Sequence, residues 1–123
     1  MEDQHWMMNF MMELDNNIRY FRTGIQVCDE ERMATKQLVV YLSACKQMNL
    51  KSIMYERTLL KNEIGNMLYV MMESGKFTPE FATRWTNIIH QTNKYFNICL
   101  NLEKTEKGTT DEMSELIDIL VVP

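Results

Sequence analysis

The sequence predicts an all-α protein, a small helical bundle of four to five helices with a short acidic C-terminal segment. Three observations support this fold class. The 123 residues include only four Gly and two Pro, so few residues suited to tight β turns are present. Apolar residues recur every three or four positions, which is the period of an amphipathic helix. Residues that favour helix caps stand where these periodic stretches begin and end.

The first two helices are predicted from their apolar stripes. The first stripe, between Asp3 and about Phe21, consists of Trp6, Phe10, Leu14, Ile18 and Phe21. Thr23 and Gly24 interrupt this pattern, and Asp29 is predicted to cap the second helix. The residues of the second helix predicted to face inward are Met33, Leu38, Leu42 and Cys45, with Val39 and Val40 beside them.

Two further helices are predicted beyond a loop at residues 47–51. Ser52 is the predicted cap of the third helix, and Ser74 with Gly75 marks its end, because Gly favours the left-handed turn that closes a helix. Thr78-Pro79-Glu80 combines a cap, a Pro at the first helical position and an acid, which predicts a fourth helix from Pro79 to about Lys104. The predicted inward residues of these helices are Ile53, Leu60, Ile64, Met67, Met71, Phe81, Trp85, Ile88, Ile89, Thr92, Phe96 and Cys99.

A change of composition after this helix divides the chain into a bundle, residues 1–103, and a linker with an acidic-hydrophobic tail, residues 104–123. Thr110 is a predicted cap for one or two turns whose apolar side is formed by Met113, Leu116, Ile117 and Leu120. Two interpretations remain open for this segment. It packs as a last short helix on the bundle, or the peptide from Met113 to Leu120 docks in cis or in trans.

The net charge and the length of the apolar stretches each disfavour one class of partner. The net charge is −4 and the pI near 5.2, and nucleic-acid affinity depends on clustered Lys and Arg, so no direct nucleic-acid partner is expected. The apolar stretches are too short for a membrane span and no leader segment opens the chain, so no membrane partner is expected either. An intracellular protein, nuclear or alternatively cytoplasmic, is therefore predicted.

The residues that most often carry chemistry are few and scattered. Cys28, Cys45 and Cys99 lack the spacing of a zinc site and are interpreted as reduced, mostly buried thiols. His5 and His90 have no second ligand at metal spacing. No phosphate-binding glycine loop or nucleophile motif is present in the sequence. The sequence thus predicts a protein that is not an enzyme and that uses no metal or cofactor.

The loop at residues 47–51 is the main candidate for a binding surface. It places Met48 and Leu50, two apolar side chains, in a segment predicted to lie at the surface. The alternative interpretation is that one or both of them cover the core.

The run from Lys46 to Val70, KQMNLKSIMYERTLLKNEIGNMLYV, resembles the inter-helix loop and following helix of the integrase-binding domain of LEDGF-type chromatin proteins, within the TFIIS N-terminal-like helical family. This resemblance implies a right-handed bundle that binds acidic linear motifs with aromatic anchors. It implies partner contacts by Met48 and Leu50, with Lys46 facing the acids of the motif. Asn49 and Lys51 complete the predicted surface.

The family has a second binding loop that supplies an Asp as a hydrogen-bond acceptor. In this chain the register implies Met7, Met8 and Asn9 at that loop, without an acid. Either the first family helix is missing here or the first helix of the chain is shifted. Since the binding helix is also less basic than in the family, a more apolar and less salt-sensitive peptide is expected.

The prediction is therefore a non-catalytic module that binds linear peptide motifs of nuclear proteins and acts as a chromatin or transcription tether or adaptor. If the chain is a fragment, a chromatin-binding part lies outside it; if it is complete, it acts as an adaptor or competitor. Two alternatives remain open. One is a structural bundle that homodimerises through its apolar surface and tail. The other is a virus-type bundle that sequesters an amphipathic helix in an apolar trough between helices.

Overall fold

The computed structural model describes residues 2–107, and these form four helices. Their bounds are α1 Glu2–Thr23, α2 Asp29–Gln47, α3 Leu50–Glu73 and α4 Pro79–Lys107. The predicted all-α class is confirmed for this part of the chain. Helix α4 continues three residues past its predicted end at Lys104. The predicted tail, including its cap Thr110 and the segment from Met113 to Leu120, lies outside the described residues.

Two predicted helix caps were wrong. Helix α2 is capped by Cys28, whose Sγ accepts a hydrogen bond from the backbone N–H of Glu31 at 3.4 Å, and Asp29 is already helical. Helix α3 is capped by Asn49, whose side chain accepts from the N–H of Ser52 at 3.1 Å. Ser52 occupies the position whose N–H is capped, three residues after the cap itself.

The α2–α3 connection is shorter than predicted, with only Met48 and Asn49 outside the helices. Met48 adopts a left-handed backbone with φ 58° and ψ 27°, and its N–H donates to the carbonyls of Ala44 and Cys45, both at 3.1 Å. This conformation is rare for residues other than Gly and Asn. The sequence pattern therefore did not reveal so tight a turn.

The boundary between α3 and α4 agrees with its prediction. Gly75 has the left-handed φ of 72° that its position after the helix requires. The Thr78 Oγ1 accepts from the N–H of Phe81 at 3.2 Å, and Pro79 is the first helical residue. This pair of signals located the start of α4 correctly.

Helix α2 is the central helix, because it packs against each of the other three. Consecutive helices run antiparallel, as the approach of Cys28 to Met71 shows for the start of α2 and the end of α3. The core is confirmed at most predicted positions, but Met33 is 56% exposed and Val40 and Trp6 are also exposed. Met33 and Val40 lie outside the stripe of α2 that is buried, which consists of Glu31, Ala34, Thr35, Leu38, Tyr41, Leu42, Ala44 and Cys45.

This topology gives the bundle two different ends. The connecting segments 24–28 and 74–78 lie together at what we call the two-loop end. The opposite end carries the Met48–Asn49 connection and the beginning of α1. Among residues 2–107, no helix has an apolar stretch long enough to span a bilayer.

Candidate functional site

The predicted apolar contacts Met48 and Leu50 are both half-buried and pack against the core. Each therefore covers the core and also reaches the surface, so both interpretations of the loop apply in part. Asn49 and Lys51 beside them are exposed. The end of the bundle around Met48 thus offers a small apolar surface with polar neighbours.

The predicted polar contacts around this loop already have intramolecular partners. The Lys46 Nζ lies 2.6 Å from the Asp15 carboxylate of α1, with both side chains more than two-fifths exposed. The side-chain oxygen of Asn49 is occupied by its cap on α3. An acidic ligand would have to compete with Asp15 for Lys46, although an exposed pair of this kind is worth only about 0–1 kcal/mol.

The register of the resemblance sets Met7 and Met8 at the family's second binding loop, but both lie inside α1, as the apolar stripe of the first helix predicted. Their role as partner contacts stays a prediction. Met7 is half-buried and Met8 is 62% exposed. The antiparallel packing of α1 and α2 nevertheless brings the start of α1 to the same end of the bundle as Met48. The family's second loop therefore has no equivalent at these positions.

The two-loop end carries exposed apolar residues that the sequence analysis did not single out. Ile25 is 94% exposed, and Val27, Phe77 and Tyr20 are also exposed. Ile25, Val27 and Phe77 lie in the connecting segments, where no helical period marks an apolar residue as inward or outward. Clustered apolar side chains at a surface are a typical feature of a binding site.

A cavity of about 280 Å³ opens beside these residues, between the end of α1, the segment 24–28 and the start of α4. Its apolar wall includes Phe21 and Ile88, and Ile25 stands at its margin. Glu31 and Arg84 supply the charged part of its lining. The cavity therefore combines an apolar wall with a charged hydrogen-bonding group.

Glu31 is the centre of a buried network at this end. Its side chain is only 2% exposed and accepts hydrogen bonds from the indole N–H of Trp85 and the backbone N–H of Val27, each at 2.7 Å. It also forms an ion pair with Arg84. The run Asp29-Glu30-Glu31 has the acidic pattern of a solvated helix start. Glu31 is buried nevertheless, because the indole of Trp85 and the guanidinium of Arg84 fold over it.

Arg84 is the partly exposed member of this network. Its side chain is 43% exposed and its guanidinium also lies over the Phe81 ring, 5.4 Å from the centroid. A guanidinium carries five N–H donors in a fixed fork. Arg84 thus has the capacity to bind a further carboxylate while it holds Glu31.

A second concave surface lies between α3 and α4, which we call the α3–α4 groove. It encloses about 200 Å³ and is lined mainly by apolar groups, with Arg57 and Lys61 at its margin. Gly65 contributes open space, since a Cβ built there would meet no atom within 4 Å. The remaining lining residues are Leu60, Ile64, Ile89, Thr92 and Asn93.

The buried thiols lie between α2 and α4. The Cys99 thiol donates to the carbonyl of Cys45 at 3.7 Å, and both residues are buried. The hydrogen bond with Cys99 and burial together raise the pKa of Cys45 above its usual value. Cys45 is therefore held as a thiol, the unreactive form. Across residues 2–107, no three His, Cys, Asp or Glu side chains are grouped as metal ligands.

Comparisons with known proteins give no relative for this chain. No protein family, no curated protein and no solved structure matches it.

Proposed function

We propose that this protein is a non-catalytic interaction module that binds a short linear peptide of a partner protein at the two-loop end. One observation carries the proposal: Ile25 is 94% exposed and stands beside a cavity that is lined in part by the partly exposed Arg84. An isoleucine so exposed gains most of its transfer free energy when a ligand covers it, on the order of 2 kcal/mol.

The chemistry of the surface defines the ligand. An apolar or aromatic anchor of the peptide covers Ile25 and Val27 and reaches the cavity, and a carboxylate next to that anchor binds the free edge of Arg84. Acidic motifs with aromatic anchors are also what the resemblance to the integrase-binding domain implies. On that resemblance alone rests the wider proposal of a nuclear chromatin or transcription tether or adaptor.

The test uses peptides selected from a random library against the purified protein. Ile25→Asp combined with Val27→Asp is expected to weaken their binding by at least about tenfold, because a carboxylate must lose water to enter an apolar contact. Both residues are exposed, so helical circular dichroism should be unchanged. Isothermal titration calorimetry measures the affinity. Unchanged affinity in this variant would rule out the two-loop end.

The opposite end supplies the matched control and the second candidate site. Met48 holds a left-handed backbone that Gly or Asn would adopt at less cost, and such strain is often found at functional positions. Met48→Asp with Leu50→Asp should leave the affinity within about twofold if the peptides bind at the two-loop end. The reverse pattern would assign peptide binding to Met48 and Leu50.

Homodimerisation is the alternative that the remaining exposed apolar residues favour. Met12 on α1 and three residues of α3, Tyr55, Tyr69 and Met72, are each more than half exposed. Analytical ultracentrifugation separates the two proposals. A peptide receptor remains a monomer at micromolar concentration, whereas a structural dimer does not.

A further inference from the structure

The α3–α4 groove lacks a covering element in the described part of the chain. Leu60 and Ile64 form its floor from α3, and Ile89 forms the wall from α4. Gly65 lines the groove next to Ile64 and has no side chain. A Cβ built at Gly65 would meet no atom within 4 Å. The groove can therefore accept inserted side chains without displacement of the helices.

The margin of this groove is basic. Arg57 and Lys61 both line it, and its lining residues include no carboxylate. Arg57 is fixed in place, with its guanidinium 4.4 Å from the centroid of the Phe96 ring and a hydrogen bond of 3.3 Å to Asn93. The nearby acid Glu56 instead bonds to Gln37 on the α2 side of α3. The groove is thus complementary to a segment that is apolar on one side and acidic on the other.

The sequence after α4 contains such a segment. Met113, Leu116, Ile117 and Leu120 follow the spacing that places four residues on one side of a helix. Two acids, Asp111 and Glu112, precede these apolar residues and two more, Glu115 and Asp118, fall between them, and residues 111–120 contain no Lys or Arg. This pattern matches the groove in both polarity and charge.

The length of chain between α4 and this segment is also suitable. From Asn93 at the groove to Lys107, α4 extends about 21 Å. An extended stretch of residues 108–112 spans about 17 Å, and eight further residues in a helix cover about 12 Å. If the chain reverses direction after Lys107, residues 113–120 therefore reach the groove. Pro79 at the two-loop end is about 42 Å from Lys107, which is beyond this reach.

We propose that residues 113–120 of this chain dock in cis in the α3–α4 groove, with Leu116 and Ile117 toward Gly65 and the acids toward Arg57 and Lys61. The tail is then an internal ligand of the bundle, at a surface separate from the two-loop end. The proposal stands or falls independently of the peptide site.

The experiment compares full-length protein with a full-length Leu116→Asp, Ile117→Asp variant by ¹H–¹⁵N NMR. If the tail docks, the largest amide shift changes outside the mutated tail occur at Ile64, Gly65 and Ile89. The control variant Thr109→Asp adds a carboxylate ahead of the segment and should leave these amides unshifted. Docking also requires that Lys61→Glu reproduce the same changes in the groove.

The outcome is decided by which amides shift and by whether the shift changes depend on protein concentration. Changes that are independent of protein concentration support docking in cis, and changes that disappear on dilution overturn it in favour of association between chains. Groove amides that do not respond to the tail variant overturn the proposal entirely. Changes confined to Ile25 and Val27 do the same, because they would place the tail at the two-loop end.

Discussion

Glu31 connects three parts of the molecule through one carboxylate. It lies in the first turn of α2, where an acid is favoured by the helix dipole, and it accepts hydrogen bonds from the segment before α2 and from α4. An ion pair between the buried Glu31 and the partly exposed Arg84 is weak evidence for a gain in stability. Removal of the Glu31 carboxylate, however, leaves the indole N–H of the buried Trp85 without its acceptor. Glu31 therefore fixes how the two-loop end is assembled.

Glu31→Ala is expected to reduce the free energy of unfolding by about 3 kcal/mol, because the Trp85 and Val27 N–H groups lose their acceptor and Arg84 loses its counter-ion. Urea unfolding followed by circular dichroism measures this change. The neighbouring Glu30→Ala, at an acid that is less buried than Glu31, is the control and should change stability by less than about 1 kcal/mol. Equal effects of the two variants would contradict the structural role of Glu31.

Helix α3 contains a glycine in its interior, Gly65, that its own geometry does not require. The helix continues on both sides of it, and the position has space for a side chain. Gly in a helix interior is unfavourable because the unfolded chain has more conformations to lose. The glycine thus weakens α3 at a position that lines the α3–α4 groove.

Gly65→Ala should raise the free energy of unfolding by about 1 kcal/mol and the Tm by roughly 4 °C. Differential scanning calorimetry measures the Tm. Gly75→Ala is the matched control and should lower stability, because Gly75 has a φ of 72° that Ala adopts with strain. A Tm of Gly65→Ala at or below that of the unmodified protein would show that the added methyl group is not tolerated.

The whole molecule is held together around α2, and its contact with α4 buries titratable groups. The Tyr41 hydroxyl donates to the carbonyl of Thr92 at 2.6 Å, next to Cys45. Burial raises the pKa of Tyr41 above its ordinary value, and the pKa of Tyr95 is raised for the same main reason. At alkaline pH the folded protein therefore keeps the protons of these two hydroxyl groups, whereas the unfolded chain releases them.

The free energy of unfolding is thus expected to be constant from pH 7 to about 8.5 and to fall as the pH rises through 9 and 10, where unfolded Cys and Tyr lose their protons. Each such group contributes a slope of about 1.4 kcal/mol per pH unit. Urea titrations at several pH values measure this slope. Tyr41→Phe should reduce it, whereas the exposed Tyr55→Phe should not. A slope that Tyr41→Phe leaves unchanged would contradict the burial of this proton.

The helix boundaries show which parts of the fold are specified by local sequence. The start of α4 was predicted correctly because Thr78, Pro79 and Glu80 act on the backbone beside them. The caps of α2 and α3 were misplaced because Cys is an uncommon cap and because Asn49 and Ser52 are both cap-forming residues. Of the predicted site, Met48 and Leu50 reach the surface only in part. Met7 and Met8 lie inside α1, as the apolar stripe of the first helix predicted, and not in a second loop as the register of the resemblance implies.

The sequence by itself determined the all-α class, the four helices and most of the core, since helix formation and amphipathic period depend on residues only a few positions apart. Tertiary structure alone decided that Glu31 is buried beneath Arg84 and Trp85, residues more than fifty positions later in the chain. It also decided that Ile25 and Phe77 lie at one end of the bundle while Met48 lies at the other. Such placements depend on how helices pack across long sequence separations, and no local pattern encodes that packing.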